Sequence, residues 1–315
     1  MITTTWLVGA GAIAVAHARV MSALGVDFTV IGRGEKTAEL FANETGIPVE
    51  TGGLTKALQK GPRPEIAVLA LPINDLADAA LLLIGAGAQR LLIEKPGSLS
   101  IEVLTNIREA AFATGCLAFI AYNRRFYAST RDLTQIVNAD GGATSVFFEF
   151  NEPKHLLQSD YYPEGVRQRW FLANSTHVVD LVFHLCGQPS DWQAWSGGEL
   201  EGHASSSRFA GAGKLESGAL FSYLSDWEAP GRWGIEIMTA NHRLVLRPLE
   251  KLHLMRHGSF AVEEVHIDDA LDVDFKPGFF RQMNAFISKD DLPLCSIDEH
   301  LKNMATYSKI ANYQP

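Results

Sequence analysis

The hydrophobic positions in the first third of the chain fall into short apolar blocks separated by stretches of helical period. Thr4–Val8 predicts a short buried strand. A glycine turn follows, then helical spacing from about Ile13 to Leu24, closed by Gly25, and a second strand over Phe28–Ile31. Thr37–Thr45 predicts a helix stopped by Gly46. Ile66–Leu71 is wholly apolar and ends at Pro72, the pattern of a parallel strand covered on both faces. Asp75–Ile84 is helical and Arg90–Ile93 is another buried strand. Ser100 caps a helix that sets Ile101, Leu104 and Ile107 at helical spacing and ends at Gly115, and Leu117–Ala121 is one more strand. Strands alternating with helices predict a doubly wound parallel sheet of the α/β class over residues 1–121.

Beyond Tyr122 the pattern changes. A helix covers about Ser129–Val137, and β-rich segments then recur at short intervals: Thr144–Phe150, Ser206–Phe209, Ala219–Leu224, Gly234–Met238, Arg243–Leu246, Lys251–Met255 and Ala261–Ile267. This predicts an α+β domain over residues 122–315 with an open, mainly antiparallel sheet. A helix from about His177 to Cys186 interrupts the strands, and two helices, Phe279–Ile287 and Ile297–Ile310, close the chain with the option of packing back on the first domain. Ala219–Leu224 would leave apolar side chains on a sheet face without helices, which predicts a homodimer or homotetramer.

Composition narrows the classes. With 47% hydrophobic and 20% charged residues over 315 positions, the chain has an ordinary globular make-up. The richest apolar stretch, Leu81–Leu92, is interrupted by Gly85, Gly87, Gln89 and Arg90, so no membrane span is expected. The first residues lack the basic flank of a signal peptide, and a cytoplasmic location is expected. A net charge of −9 argues against nucleic acid or an anionic membrane as a general partner. Cys116, Cys186 and Cys295 suit small buried hydrophobes better than disulfides or a zinc site, and no metal is expected.

The run Val8-Gly9-Ala10-Gly11-Ala12-Ile13-Ala14 fits GxGxxA between a strand and a helix. Gly9 allows the tight turn, Gly11 lets backbone approach a pyrophosphate, and Ala14 keeps the helix close to the strand. The helix start at Ala12 and Ile13 offers N–H groups to phosphates. The site expected is a dinucleotide cradle, the mark of a Rossmann domain. The second strand runs out at Ile31-Gly32-Arg33, where NAD sites place an acid. Arginine there can pair with a 2′-phosphate, which favours NADP over NAD; the alternative is a solvated loop arginine covering the adenine.

Leu92-Ile93-Glu94-Lys95-Pro96-Gly97 sets two charges at the end of a buried strand, where open parallel sheets bind ligands. Lys95 there can polarise or protonate a substrate oxygen, or the two charges form an ordinary exposed pair. Together the glycine turn, the Ala70-Leu71-Pro72 strand end and Glu94-Lys95-Pro96 resemble the Gfo/Idh/MocA family of glucose–fructose oxidoreductase and inositol dehydrogenase, over nearly the whole chain. The resemblance implies hydride transfer between NAD(P) and a hydroxyl-bearing carbon of a sugar, sugar nucleotide or polyol. It implies that Lys95 meets both substrate and nicotinamide. It also implies that Leu71, Pro72, Asn74, Glu94, Asn123 and Arg124 lie along the dinucleotide, the last two within Asn123-Arg124-Arg125-Phe126.

Asn174-Ser175-Thr176-His177 carries several cap-forming residues before a helix. His177, Asp180 and His184 share one side of it, which alone suggests a metal site or, more plainly, a packed histidine. The family resemblance makes His177 the general acid/base beside Lys95. The family often has an aspartate four residues before that histidine, where this chain has Ala173. Asp180 then orients the imidazole or serves only the helix. Tyr161, Tyr162, Arg167, Arg169 and Trp170 precede this helix; with Asn174 they are candidate substrate contacts, although a solvated loop accounts for them too. Lys276-Pro277-Gly278-Phe279 and Arg281, at the start of the penultimate helix, are further candidates. Two other functions fit the same motifs: a redox-neutral glycosidase that keeps its nicotinamide, and a dinucleotide-sensing regulator without turnover.

Overall fold

A computed structural model describes residues 4–157, 162–291 and 293–313. The chain divides into two units: residues 1–123 with 271–302, and residues 124–270 with 303–315. The first break lies two residues past the expected boundary near Ala121, and the closing helices take the option of returning to the first unit. The second domain is not one continuous segment, because residues 271–302 return to the first unit. Chemistry explains the return. Arg90 opens a central strand yet is buried, and its guanidinium needs acceptors: Asp291 takes two of its bonds at 2.6 and 3.2 Å, and the Phe286 carbonyl a third at 3.0 Å. Phe119 and Phe286 also offer it their rings at 5.3 and 5.2 Å.

The first unit is a seven-stranded sheet ordered Cys295–Ser296, Leu117–Ala121, Arg90–Glu94, Ile66–Leu69, Thr5–Val8, Thr29–Ile31 and Val49–Glu50. All pairs are parallel except the Cys295–Ser296 edge. Leu7, Val68, Leu91 and Ile93 are fully buried, as strands covered on both faces require. The chain order reverses between Thr5–Val8 and Ile66–Leu69, and the crevice at such a switch point is where open α/β sheets bind ligands. The sequence pattern missed Val49–Glu50 and the helix Gly53–Lys60, since Gly52 and Gly53, both at positive φ, break the periodicity between them. Ser100 caps its helix as expected, accepting from the Val103 amide, and Gly115 ends that helix in the left-handed region.

The second unit holds an eight-stranded sheet. Its order is Glu263–Glu264, His253–Arg256, His242–Leu246, Trp233–Met238, Ser145–Phe150, Leu220–Asp226, Arg208–Leu215 and Pro189–Gly197. Only the central pair, Ser145–Phe150 with Leu220–Asp226, is parallel. Val146, Phe148 and Phe150 face a core under the helix Thr176–Cys186, where Phe183 meets Phe148 edge-on at 6.0 Å. Leu220, Leu224 and Trp195 are more than half exposed. The strand expected over Ala261–Ile267 pairs only at Glu263–Glu264: Phe260 and Val262 stand in solvent, and the edge gives them nothing to pack on. The nine-residue strand Pro189–Gly197 was missed because an edge strand with Asp191, Gln193 and Ser196 shows little apolar alternation.

The three cysteines are buried thiols, and burial pushes Cys116 up to about 11 and Cys186 up to about 12, so neither is nucleophilic at neutral pH. Among the described residues no helix is long and apolar enough to cross a membrane.

Candidate functional site

The glycine turn is built by contacts that only glycine permits. Gly9 has φ +126° and donates to the Ile31 carbonyl at 2.9 Å; a Cβ there would sit 2.1 Å from the Ala70 carbonyl oxygen. Gly9 therefore bonds the first strand end to the second strand on one side and lets the Ala70 backbone, across the switch point, approach closely on the other. At Gly11 a Cβ would meet nothing within 4 Å, so the backbone there faces open space. Helix Ala12–Ala23 begins directly after it with no side-chain cap and no acidic residue in its first turn. Its first N–H groups and the positive end of its dipole are left for an anion. Ala14 is fully buried against the sheet, and Ala12, Pro72 and Asn74 are exposed at the rim, with Leu71 and Ile13 half-buried. These features fit a dinucleotide pyrophosphate.

Gly32 donates to the Glu50 carbonyl at 2.9 Å, and its missing Cβ makes room for the Val49 side chain. The Arg33 guanidinium is 83% exposed and 3.7 Å from Asp75, which opens the helix Ile73–Gly85. An exposed pair at that distance is weakly held, so the guanidinium can turn to another anion.

Lys95 is half-buried at the end of Arg90–Glu94, in a turn closed by the Gly97 amide donating to the Glu94 carbonyl at 3.0 Å. The Lys95–Pro96 peptide is cis. The Glu94 carboxylate is bonded to His17 Nε2 at 2.9 Å. The bond ties the lysine turn to the glycine helix. His17 is buried, and Phe279 stacks on its ring at 4.6 Å. Sequence reasoning passed over His17, although its spacing from Ala14, Ala18 and Met21 marks it as inward-facing. Asn123 is also buried, and its amide donates to the Pro277 carbonyl at 2.9 Å. Arg281 is paired with Asp272 at 2.8 Å.

The second unit carries the histidine. His177 is 5% exposed, with Trp233 at 6.0 Å between ring centres, and Trp233 also lies under the Arg124 guanidinium at 4.8 Å. The expected helix start before His177 is corrected. Phe171–Ser175 forms a wide π-type turn that runs straight into Thr176–Cys186, and Ser175 has helical dihedrals. Asn174 and Ser175 do not cap. Their side chains donate to Glu152, at 2.8 and 2.6 Å. Asp180 does not serve as an imidazole orienter by these bonds: both its oxygens accept from Arg125, at 2.8 and 2.6 Å, and Tyr307 adds its hydroxyl at 3.4 Å. Both partners of this ion pair are 1% exposed, so it ties Arg125 firmly to the helix.

Trp170 is buried, with Tyr162 edge-on at 4.8 Å, and Arg169 lies over the Tyr313 ring at 4.7 Å. Tyr161 lies outside the described residues. Glu152 was missed because an acid just after an apolar strand carries no signal of its own; its partners lie more than twenty positions away.

Against known proteins, no family model matches and no curated sequence matches. Solved structures do. A Desulfitobacterium hafniense protein assigned as an NADPH-dependent oxidoreductase superposes with a TM-score of 0.81 at 13% identity, over 98% of this chain and 95% of its own. UDP-N-acetylglucosamine 3-dehydrogenase of Acidithiobacillus ferrooxidans gives 0.75 at 16% identity, covering 99% and 97%. Levoglucosan dehydrogenase, solved with NADH and L-sorbose, gives 0.79 at 15%, covering 98% and 96%. The fold is thus that of a Rossmann domain followed by an α+β domain with an open sheet.

Proposed function

We propose that this chain is an NAD(P)-dependent oxidoreductase of the Gfo/Idh/MocA type, acting on a hydroxyl-bearing carbon of a sugar, sugar nucleotide or polyol. The observation that carries this reading is the open backbone at Gly11 before an uncapped helix, at the switch point of a parallel sheet that also presents Lys95. Solved structures of the same fold that are named as sugar dehydrogenases support it. Gly9, Gly11, Ala12, Ile13, Leu71, Pro72 and Asn74 would hold the dinucleotide. When bound, its nicotinamide supplies the hydride acceptor or donor. The Lys95 ammonium holds the reacting oxygen and exchanges a proton with it, and His177 is the acid/base that the second unit contributes. NADP is the preferred form, because Arg33 stands where a carboxylate would repel a 2′-phosphate. A second copy of the chain covers the exposed Leu220, Leu224 and Trp195, giving a dimer or tetramer; light scattering that finds only monomer at micromolar concentration refutes this.

The decisive experiment is a nicotinamide fluorescence screen of sugars and sugar nucleotides with both NAD and NADP. Reduction with at least one sugar, lost in Lys95→Met by a factor of about 10²–10⁴ while dinucleotide affinity stays, supports the reading. Dinucleotide binding with no turnover of any sugar defeats it. Equal affinity for the two dinucleotides defeats the Arg33 argument alone.

A further inference from the structure

Glu152 is a buried carboxylate, 3% exposed, delivered just beyond the strand Ser145–Phe150. Removing a charge from water costs several kcal/mol unless its lone pairs are well occupied. Here one oxygen accepts from Ser175 Oγ at 2.6 Å and the other from Asn174 Nδ2 at 2.8 Å. Those donors are the last two residues of the wide turn Phe171–Ser175, and His177 follows two positions later. The other end of the same turn is held too, because the Phe171 amide donates to Tyr313 Oη at 3.2 Å.

A wide turn carries one residue more than an α-helical turn, which offsets everything before it by roughly 100° about the helix axis. Relaxation to regular α-helix would swing the preceding residues round relative to His177. Wide turns are not held by their own backbone bonds better than α-turns, so an outside clamp is needed to keep this register. Glu152 is that clamp.

We propose that Glu152 is a positioning residue for His177, fixing the wide turn through Asn174 and Ser175 so that the imidazole is held in one register. The proposal rests on the role assigned to His177 above, and the test keeps the two separable. Hydrogen–deuterium exchange of amides 171–177 is measured in the full-length protein as wild type, Glu152→Gln and Glu152→Ala, with NADPH affinity in parallel. Turnover with NADP is measured on levoglucosan and UDP-N-acetylglucosamine, or on whichever other sugar the screen finds to be oxidised. In Glu152→Ala, faster exchange confined to this turn is expected, with kcat down on the order of a hundredfold and KM and NADPH affinity little changed. Glu152→Gln keeps an acceptor for Ser175 and should return kcat to within about threefold of wild type. Ser175→Ala, which removes one hydroxyl and should not disturb folding, is expected to lose kcat by about tenfold. Unchanged exchange in Glu152→Ala overturns the clamp even if no sugar is ever turned over. Full kcat in Glu152→Ala, or equal losses in the Gln and Ala variants, overturns the positioning role.

Discussion

Two helices of this protein begin near its candidate chemistry, and they begin in opposite ways. Ala12–Ala23 starts abruptly after Gly11, with no side chain on its first amides and open space where a Cβ would stand. Thr176–Cys186 has no abrupt start. It continues from a wide turn whose side chains are taken by Glu152 and whose first amide is taken by Tyr313. The difference separates two kinds of binding structure. A bare helix start is a backbone site whose partner comes from outside the protein. A start tied up from within serves to fix one side chain, and here that side chain is His177.

The largest expected effect breaks the first helix start outright. Gly9→Val would force a Cβ into the Ala70 carbonyl at a φ that side chains avoid, and should cost about 3 kcal/mol or more in a thermal melt. Arg125→Ala tests the second region on a similar scale. It strands the buried Asp180 carboxylate, with an expected loss of about 3–5 kcal/mol in denaturant unfolding. A variant as stable as wild type would show that this pair does not anchor the histidine helix. Gly11→Val sharpens the contrast with Gly9. Its Cβ meets no protein atom within 4 Å, so melting should barely move, while NADPH affinity measured by fluorescence falls by about tenfold or more. Arg33→Ala should weaken NADPH by about tenfold and leave NADH unchanged.

The last effect is one of pH on the second region. His203 accepts from the Tyr313 hydroxyl at 2.9 Å and donates to the Ser206 carbonyl at 3.1 Å, and Tyr313 in turn receives the Phe171 amide. Burial lowers the imidazole from 6.5 to about 4. Between those values the unfolded chain binds a proton that the folded protein refuses, so stability falls as pH drops from about 6.5 to about 4 and is full above that window. Melting temperature measured across it should slope downward toward acid in wild type and flatten in His203→Gln.

The legibility of the two regions differs in the same way. The glycine turn is a run of seven consecutive residues whose chemistry is local, and it stands in the structure as its spacing predicts. Lys95 at its strand end was equally legible, because the apolar run before it and the proline after it are adjacent in sequence. Its neighbour Glu94 was not: the bond to His17 joins positions 77 apart. At the histidine helix, cap-forming residue types promised a start that is not there. Asn174 and Ser175 have the right chemistry for caps, but a carboxylate arriving from the sheet competes for them and wins.

By itself, then, the sequence determined the alternation of strands and helices, the glycine turn, and the placing of Lys95 and His177 on their elements. All of these follow from backbone preferences and periodicities a few residues long. The tertiary structure alone decided what the charged groups do. Asp180 is held by Arg125 from 55 positions away, Asn174 and Ser175 by Glu152, and Arg90 by Asp291. Such pairings depend on sheet register and chain return, and a buried charge takes whichever partner packing brings within reach.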